Sequence, residues 1–429
     1  MPARLRRGPL RTGPLQRRTP QARIVEVLLL GAWAEAVAAG RRAAAEREAV
    51  AALDAWVGLG LACEHSDRDG RLFDLVEVQS FFRWAGLAGL DDFFAARWAP
   101  AFRAMAIDLA GPDGWPPPGG GGDVGEARFR ITCARTFNLD RIPAGSRVRL
   151  RMPLPLDCAD HGQPRILAGE AIRADGATVS ISSGRLMAVL PAVRQRRITL
   201  EAEIDLSTIN PTEPRGRNLE ATESALYLRS SEGAVRVTRA VETLAFRLAG
   251  RSPPMIAVQR FWAYLLDELC LGAVPYETMT SAAAVDWVLD AGWFDCRLGA
   301  ALLVSLCRAR GIPARMVGGN FLYGRSPTNH HWSEVWIDGP GWLPFDVTAW
   351  DLSSGGLDAA WRGRYAGRLE PRMVTERPPM AFTGPIGVAW PDRWRMLQAI
   401  TPAGVSVDFV DMDDDRLIYR DEFSVRRAA

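Results

Sequence analysis

Residues 329–346 read NHHWSEVWIDGPGWLPFD. The first nine residues alternate in the two-residue period of a β-strand, Asp-Gly-Pro-Gly supplies a turn, and residues 342–345 can form the return strand. A three-residue loop would pair Ile337 with Gly341 and so set the register of the whole hairpin. The stretch therefore predicts an antiparallel hairpin in the core of the fold.

This hairpin brings an imidazole and a carboxylate together. His330, Trp332, Glu334 and Trp336 share one face of the predicted strand. With Ile337 opposite Gly341, Trp332 faces Asp346, and His330 is the diagonal neighbour of that carboxylate. A slip of one residue would present His331 instead, so the spacing alone leaves both histidines open.

A thiol lies upstream at the start of a predicted helix. Asp295 is a suitable N-cap, Cys296 begins the first turn, and Gly311 with Pro313 marks the stop. Apolar residues recur along the segment at helical spacing, so most of the helix should be buried. A thiol at the positive end of a helix dipole is expected to have a lowered pKa. The free amides of the first turn could also donate to an oxyanion.

A thiol, an imidazole and a carboxylate in this order fit nucleophilic acyl transfer. The thiolate attacks a carbonyl, the imidazole removes and returns a proton, and the carboxylate holds the imidazole in the required tautomer. A cysteine at the start of a buried helix is, taken alone, more often a small core residue. The conjunction of the three groups favours a catalytic site.

These motifs resemble the transglutaminase-like superfamily of papain-like cysteine enzymes. The matching elements are Cys296 before Gly-Ile-Pro-Ala-Arg at 311–315, the His-x-Trp-x-Glu-Val pattern at 330–335, and Gly-Trp-x-x-x-Asp at 341–346. The resemblance implies an α+β papain-like core with Cys296 as nucleophile, His330 as base and Asp346 as orienting acid. It is strong over residues 255–352 and weaker over 126–255, where Met-Pro-Leu-Pro at 152–155 also matches.

One departure from the family pattern and two aromatic residues bear on substrate binding. Many members have glycine two residues before the nucleophile, where this chain has Phe294, and that bulk could narrow access to the thiol. Trp293 and Trp332 are weak candidates for substrate contact; Trp332 is most simply a core aromatic of the hairpin, and for Trp293 packing and substrate contact are both open.

The chain divides into regions of different pattern. Residues 24–110 are rich in Ala, Leu and Glu and read as helical, whereas 126–210 alternate with period two and predict an antiparallel β-sandwich. Helical pattern returns at 237–248 and 256–269, and residues 405–410 and 417–420 predict a closing hairpin. The predicted organisation is a disordered Arg-rich tail (1–23), a helical domain (24–110), a Gly/Pro linker (111–125), a β-sandwich domain (126–250) and a transglutaminase-like catalytic domain with the closing hairpin (251–429).

Composition limits the remaining classes of function. The tail carries seven arginines and no acid, which leaves 45 basic against 50 acidic residues in the remainder, so nucleic-acid binding is not expected. There is no lysine, so the chain cannot be its own lysine donor in a crosslinking reaction. No segment is long and apolar enough to span a membrane. The six cysteines show no CxxC pair, which favours reduced thiols and a cytoplasmic location, with a periplasmic or secreted location left open.

No metal, nucleotide or flavin is implied, and no cofactor is expected. The partner is expected to be a peptide or protein amide substrate, while the oligomeric state stays open. Water as acceptor would make the chain a peptidase or amidase, and an amine would make it a transglutaminase or amide-bond-forming acyltransferase. Hydrolysis is the favoured alternative, and a catalytically inert interaction protein on the same fold is the third possibility.

Overall fold

The computed structural model describes the chain in separate stretches. They are residues 64–67, 70–73, 127–156, 165–167, 175–182, 184–208, 219–271, 284–322, 329–347, 366–367, 372–377, 394–401, 404–411, 414 and 416–428. The predicted tail at 1–23 and linker at 111–125 lie outside these residues, as does most of the predicted helical domain at 24–110. Within that domain the described residues form a small antiparallel hairpin of β1 (Glu64–Asp67) and β2 (Gly70–Phe73).

Two antiparallel sheets occupy the region after the linker. The six-stranded sheet has the order β17-β18-β19-β3-β8-β5, and the three-stranded sheet has the order β4-β7-β6. Their strands are β3 (Ala127–Asn138), β4 (Val148–Pro153), β5 (Arg165–Ile166), β6 (Thr178–Ser182), β7 (Arg185–Leu190), β8 (Arg197–Thr208), β17 (Trp394–Thr401), β18 (Gly404–Asp411) and β19 (Arg416–Ala428). The strands predicted from alternation between residues 126 and 210 are present.

The alternating pattern puts the apolar side chains of both sheets into one core. Along β7 the residues alternate between half-buried and buried. Ile131 and Leu200 of the six-stranded sheet share a cluster with Leu150 and Leu186 of the three-stranded sheet, and all four are at most 4% exposed. Burial of this apolar surface holds the two sheets together.

The C-terminal strands join the sheet that β3 begins. The predicted closing hairpin is present as β18 and β19, but β19 pairs with β3 along ten residues, from Tyr419 opposite Phe137 to Ala428 opposite Arg128. Arg135 reinforces this pairing through two hydrogen bonds to the carboxylate of Asp421, at 2.5 and 2.6 Å. The predicted catalytic domain at 251–429 includes these strands, whereas their ladder belongs to the sheet at 127–208.

The described residues that follow β8 along the chain, up to residue 309, are mainly helical. They are α1 (Ala221–Tyr227), α2 (Arg239–Ala249), α3 (Pro254–Glu268), α4 (Ala284–Ala291) and α5 (Cys296–Ala309), accompanied by the two-residue strands β9 (Ser231–Glu232), β10 (Val235–Arg236), β11 (Cys270–Leu271) and β12 (Trp293–Phe294). Helices α2 and α3 confirm the two segments predicted at 237–248 and 256–269.

A four-stranded antiparallel sheet packs against α5. Its order is β15-β14-β13-β16, with β13 (Ala314–Phe321), β14 (Asn329–Ile337), β15 (Gly341–Phe345) and β16 (Arg372–Glu376). Every residue from Leu298 to Arg308 is buried, and the hydroxyl of Ser333 on β14 donates to the carbonyl of Ala300 on α5 at 3.1 Å. The fold is thus mixed helix and strand, with strand predominating.

The edge strand β16 connects this sheet to the neighbouring core. The amide of Leu156 donates to the carbonyl of Val374 at 2.8 Å, and the Leu156 side chain packs on a cluster that contains Trp332 and Val374. Met373 of β16 is buried in the core that the six-stranded and three-stranded sheets share. Strand β16 is therefore held from both sides.

Candidate active site

Cys296 begins a rigidly placed helix. The carboxylate of Asp295 accepts the amide of Leu298 at 2.9 Å, which is the predicted N-cap, and Gly311 with φ of 68° follows the end of the helix. Because the body of α5 is buried, its first turn cannot shift without disturbing the core. The Cys296 side chain is half-buried and its thiol is free.

The acidity of this thiol differs from the prediction. Burial raises the pKa of the Cys296 thiol above its ordinary value, and the carboxylates of Asp295 and Asp346 add to this effect. Hydrogen bonds from the backbone amides of His331 and Arg297 act in the opposite direction but are outweighed. The expectation of a lowered pKa from the helix start is wrong, because desolvation of the thiolate is the larger effect.

The amide of His331 belongs to the peptide that joins the two adjacent histidines. Its hydrogen bond to the thiol therefore places the sulfur of Cys296 beside the backbone of β14 at this dipeptide. Two distant motifs of the sequence, the helix start and the histidine pair, meet at this point.

The hairpin of β14 and β15 has the predicted register. Ile337 lies opposite Gly341, and Asp346 follows directly after the end of β15. The Nε2 atom of His330 lies 2.7 Å from Oδ2 of Asp346, and their side chains are 4% and 2% exposed. Of the two histidines that spacing left open, His330 is thus the one that contacts the carboxylate.

His331 lies on the other face of the strand. Its ring packs over Gly318, where an added Cβ would lie 3.2 Å from Nε2 of the ring. Burial lowers the pKa of His331 to about 3, and the positive charges of Arg297 and His330 contribute. His331 is therefore uncharged at neutral pH.

Two further residues, neither of which belongs to a predicted site motif, hold Asp346. The indole Nε1 of Trp262 on α3 donates to the backbone carbonyl of Asp346 at 2.8 Å. Nη1 of Arg372 on β16 lies 2.7 Å from Oδ2 of Asp346, and both side chains are 2% exposed. No motif marks Arg372, since it lies 26 residues beyond the carboxylate it meets.

The aromatic residues proposed for substrate contact have different surroundings. Trp332 is 1% exposed and packs with Val317 and Val374, which is the arrangement of a core side chain. The backbone of Trp293 pairs with Cys270 in the short parallel pair β11–β12. Phe294 is 1% exposed and its ring packs against Gly299, so its bulk is accommodated inside the core.

A second motif pair stabilises the sheet that carries His330. Arg315 and Glu334 are opposite each other on β13 and β14, and their side chains form a buried ion pair with an Nη2–Oε2 distance of 2.7 Å. The guanidinium also stacks over the ring of Trp342, 3.9 Å from its centroid. These contacts fix the two central strands against each other.

The described residues contain no group of three or more His, Cys, Asp or Glu side chains that could hold a metal ion. None of the helices in the described stretches is long and apolar enough to cross a membrane. Two carboxylates near the start of β19 are paired with Arg141, which contacts Asp411 at 2.7 Å and also Asp414.

Comparison with known proteins finds a family match in the region that contains these residues. Residues 242–347 match the model of the transglutaminase-like superfamily. The resemblance read from the motifs is confirmed for this region. Cys296, His330 and Asp346 all lie within the matched residues, whereas Arg372 lies outside them. No curated protein shows significant sequence similarity to the chain.

The solved structures that match the chain are distant in sequence. A proposed cysteine protease from Cytophaga hutchinsonii is 16% identical with a TM-score of 0.42, and the match covers 70% of this chain and 98% of that one. The periplasmic domain of TgpA from Pseudomonas aeruginosa is 16% identical with a TM-score of 0.31, over 54% of this chain and 92% of that one. Red sea bream transglutaminase is 11% identical with a TM-score of 0.26, over 66% and 75% of the two chains.

Proposed function

We propose that this chain is a cysteine-dependent acyl-transfer enzyme that acts on amide bonds of a peptide or protein. Cys296 is the nucleophile, His330 the general base and acid, and Asp346 the residue that orients the imidazole on a papain-like core. The observation that carries the proposal is the buried contact of 2.7 Å between His330 and Asp346 on a strand whose backbone contacts the thiol. The transglutaminase-like match over residues 242–347 supports cysteine-based acyl transfer in general.

In this proposal the two nitrogens of His330 have different tasks. Nε2 contacts the carboxylate of Asp346, so Nδ1 is the nitrogen that would exchange a proton with the thiol. Because burial raises the pKa of Cys296, an isolated thiol at this position would be protonated at neutral pH. The nucleophile therefore forms by proton transfer to His330, and Asp346 stabilises the imidazolium that results.

Attack by the thiolate forms a carbon–sulfur bond and places negative charge on the carbonyl oxygen. In the first turn of α5, the side chain and carbonyl of Asp295 already accept the amides of Leu298 and Gly299. Since the amide of Arg297 donates to the thiol, the amide of Cys296 is the remaining first-turn candidate for stabilising that oxygen. Collapse of the intermediate breaks the carbon–nitrogen bond, His330 protonates the departing amine, and a thioester remains on Cys296.

The acceptor of the acyl group distinguishes the possible enzymes. We propose water, activated by His330, because hydrolysis requires no binding site for a second substrate. An amine acceptor would make the enzyme a transglutaminase or amide-bond-forming acyltransferase through the same thioester. The two antiparallel sheets, proposed as a β-sandwich module, would then present the substrate or act as a scaffold, and a cytoplasmic location stays a prediction.

The test is selective alkylation of the full chain. The protein is treated briefly with limiting iodoacetamide near neutral pH, and the modified cysteines are mapped by mass spectrometry across all six positions. We expect preferential labelling of Cys296 in the parent and in His331→Ala, and loss of that preference in His330→Ala. Thioester formation and its release by water or by added amines would then be followed with amide and ester substrates.

Cys133 and Cys307 provide internal controls, because both are buried in the core with raised pKa values. Labelling of Cys296 that is no faster than that of these two would contradict an activated nucleophile and favour the inert interaction protein. Loss of labelling in His331→Ala alone would move the role of base to His331.

A further inference from the structure

Two nitrogen atoms, one from His330 and one from Arg372, converge on one oxygen atom of Asp346. Oδ2 lies 2.7 Å from Nε2 of His330 and 2.7 Å from Nη1 of Arg372. The three side chains are at most 4% exposed, so water screens their interactions little. If His330 takes up a proton, its charge and that of Arg372 share the same carboxylate oxygen.

The fold holds Arg372 firmly in this place. Arg372 lies opposite Phe321 at the start of β16, and its guanidinium carbon lies 5.0 Å from the ring centroid of Trp332. The carbonyl of Met373, the next residue, approaches Gly319 so closely that a Cβ there would overlap it. Absence of a side chain at Gly319 therefore allows β16 to approach β13 as it does.

We propose that Arg372 is a positioning residue of this active site: it fixes the carboxylate of Asp346 and limits how strongly that carboxylate stabilises a protonated His330. The assignment rests on the proposed function, but the contact between Arg372 and Asp346 exists independently of it. A fixed positive charge within about 6 Å disfavours a second positive charge, while the shared oxygen holds the imidazole in orientation. Arg372 thus keeps His330 able to release its proton during the reaction.

Other charged groups lie near this cluster in the described part of the chain. His331 is uncharged at neutral pH, and Arg297 lies close enough to affect it. The thiol of Cys296 lies beside the backbone of the histidine pair, and Glu376 is opposite Gly318, the residue on which the ring of His331 packs. Arg372 differs from all of these because it contacts Oδ2 of Asp346 directly.

The test measures the titration midpoint of His330 by imidazole NMR in the full chain, with Cys296→Ala as the parent so that the thiol does not contribute. The chain has four histidines, which makes the ring signals assignable with single substitutions. We expect Arg372→Gln to raise the midpoint by about 1 to 2 pH units, because one positive charge is removed. Arg372→Lys should leave it within about 0.5 units, because the charge is retained.

Two further variants separate charge from packing. Arg372→Met removes the same charge while keeping an apolar contact with Trp332, so it must give the same upward shift as Arg372→Gln. Arg130→Gln removes an exposed arginine that pairs with Asp205 on the six-stranded sheet, and it should leave the midpoint unchanged.

An unchanged or lowered midpoint in Arg372→Gln and Arg372→Met would overturn the proposal, since a merely structural arginine would affect stability alone. The alkylation of Cys296 in the unmutated protein tests the proposed function separately. If Cys296 is unreactive but the His330 midpoint shifts, the proposed acyl-transfer function is rejected and the effect of Arg372 on His330 is retained. If Cys296 is reactive but the midpoint does not shift, the proposed function is retained and the role of Arg372 is rejected.

Discussion

Replacement of His331 by asparagine should remove a specific part of the pH dependence of stability. Burial lowers the pKa of His331 to about 3 in the folded chain, against an ordinary value of 6.5. Between these values the unfolded chain binds a proton that the folded chain does not bind. The free energy of unfolding therefore falls as the pH decreases below 6.5, and this loss is complete only below the folded pKa.

The size of the effect at pH 5 depends little on how far the folded pKa is lowered. With any folded value below about 4, the contribution at pH 5 is set by the distance from 6.5, which corresponds to about 2 kcal/mol. Urea unfolding of the parent and of His331→Asn at pH 7.5 and pH 5 measures it. Other groups titrate equally in both proteins, so the parent should lose about 2 kcal/mol more than the variant.

His330→Asn is the comparison variant, because it removes the neighbouring histidine, whose side chain contacts the buried carboxylate of Asp346. An equal loss of stability in the parent and in His331→Asn would refute the reasoning, since it would mean that the folded chain accepts a proton on His331. In that case His331 would also return as a candidate base.

Three further substitutions test the surroundings of the site. Gly319→Ala should lower the free energy of unfolding, measured in urea, by about 1 to 3 kcal/mol, because the added Cβ overlaps the backbone of β16. A decrease no larger than that caused by Gly318→Ala would contradict this. Trp262→Phe should lower the free energy of unfolding by about 1 kcal/mol, because the buried carbonyl of Asp346 loses its hydrogen-bond donor. Thermal unfolding measures this change, and an unchanged midpoint of unfolding would argue against the hydrogen bond from Trp262. Asp295→Ala should cost about 1 kcal/mol through loss of the cap and also move the alkylation of Cys296 to lower pH, because a carboxylate that raises the thiol pKa is removed. Asp295→Ser keeps a capping oxygen and should show only the change in alkylation, so an unmoved profile in both variants would be the contrary result.

Local signals in the sequence were sufficient for the hairpin and for the start of the helix. The three-residue loop fixes Ile337 opposite Gly341, and this register alone brings His330 to Asp346. The N-cap at Asp295 likewise depends on residues within one turn. Such features are predictable because the residues that interact are close along the chain.

The properties that depend on burial could not be obtained in the same way. The sequence places Cys296 at a helix start, where the dipole favours thiolate, but it does not show how much water reaches the sulfur. In the folded chain desolvation outweighs the backbone hydrogen bonds and raises the thiol pKa. The pairing of β19 with β3 depends in the same way on contacts between residues more than 280 positions apart, such as Arg135 and Asp421.

Arg372 could not be predicted from the sequence for both reasons, because its effect depends on burial and on a contact outside the motifs of the site. The matched region ends at residue 347, and it contains the thiol, the imidazole and the carboxylate. The guanidinium that meets Asp346 comes from an edge strand beyond that region, held by the close approach to Gly319 and by the hydrogen bond from Leu156 to Val374. A fragment that ended at residue 347 would keep every motif, yet its Asp346 would retain the contact with His330 and lose the contact with Arg372. The chain outside the matched region therefore contributes to the electrostatics of the site as well as to its support.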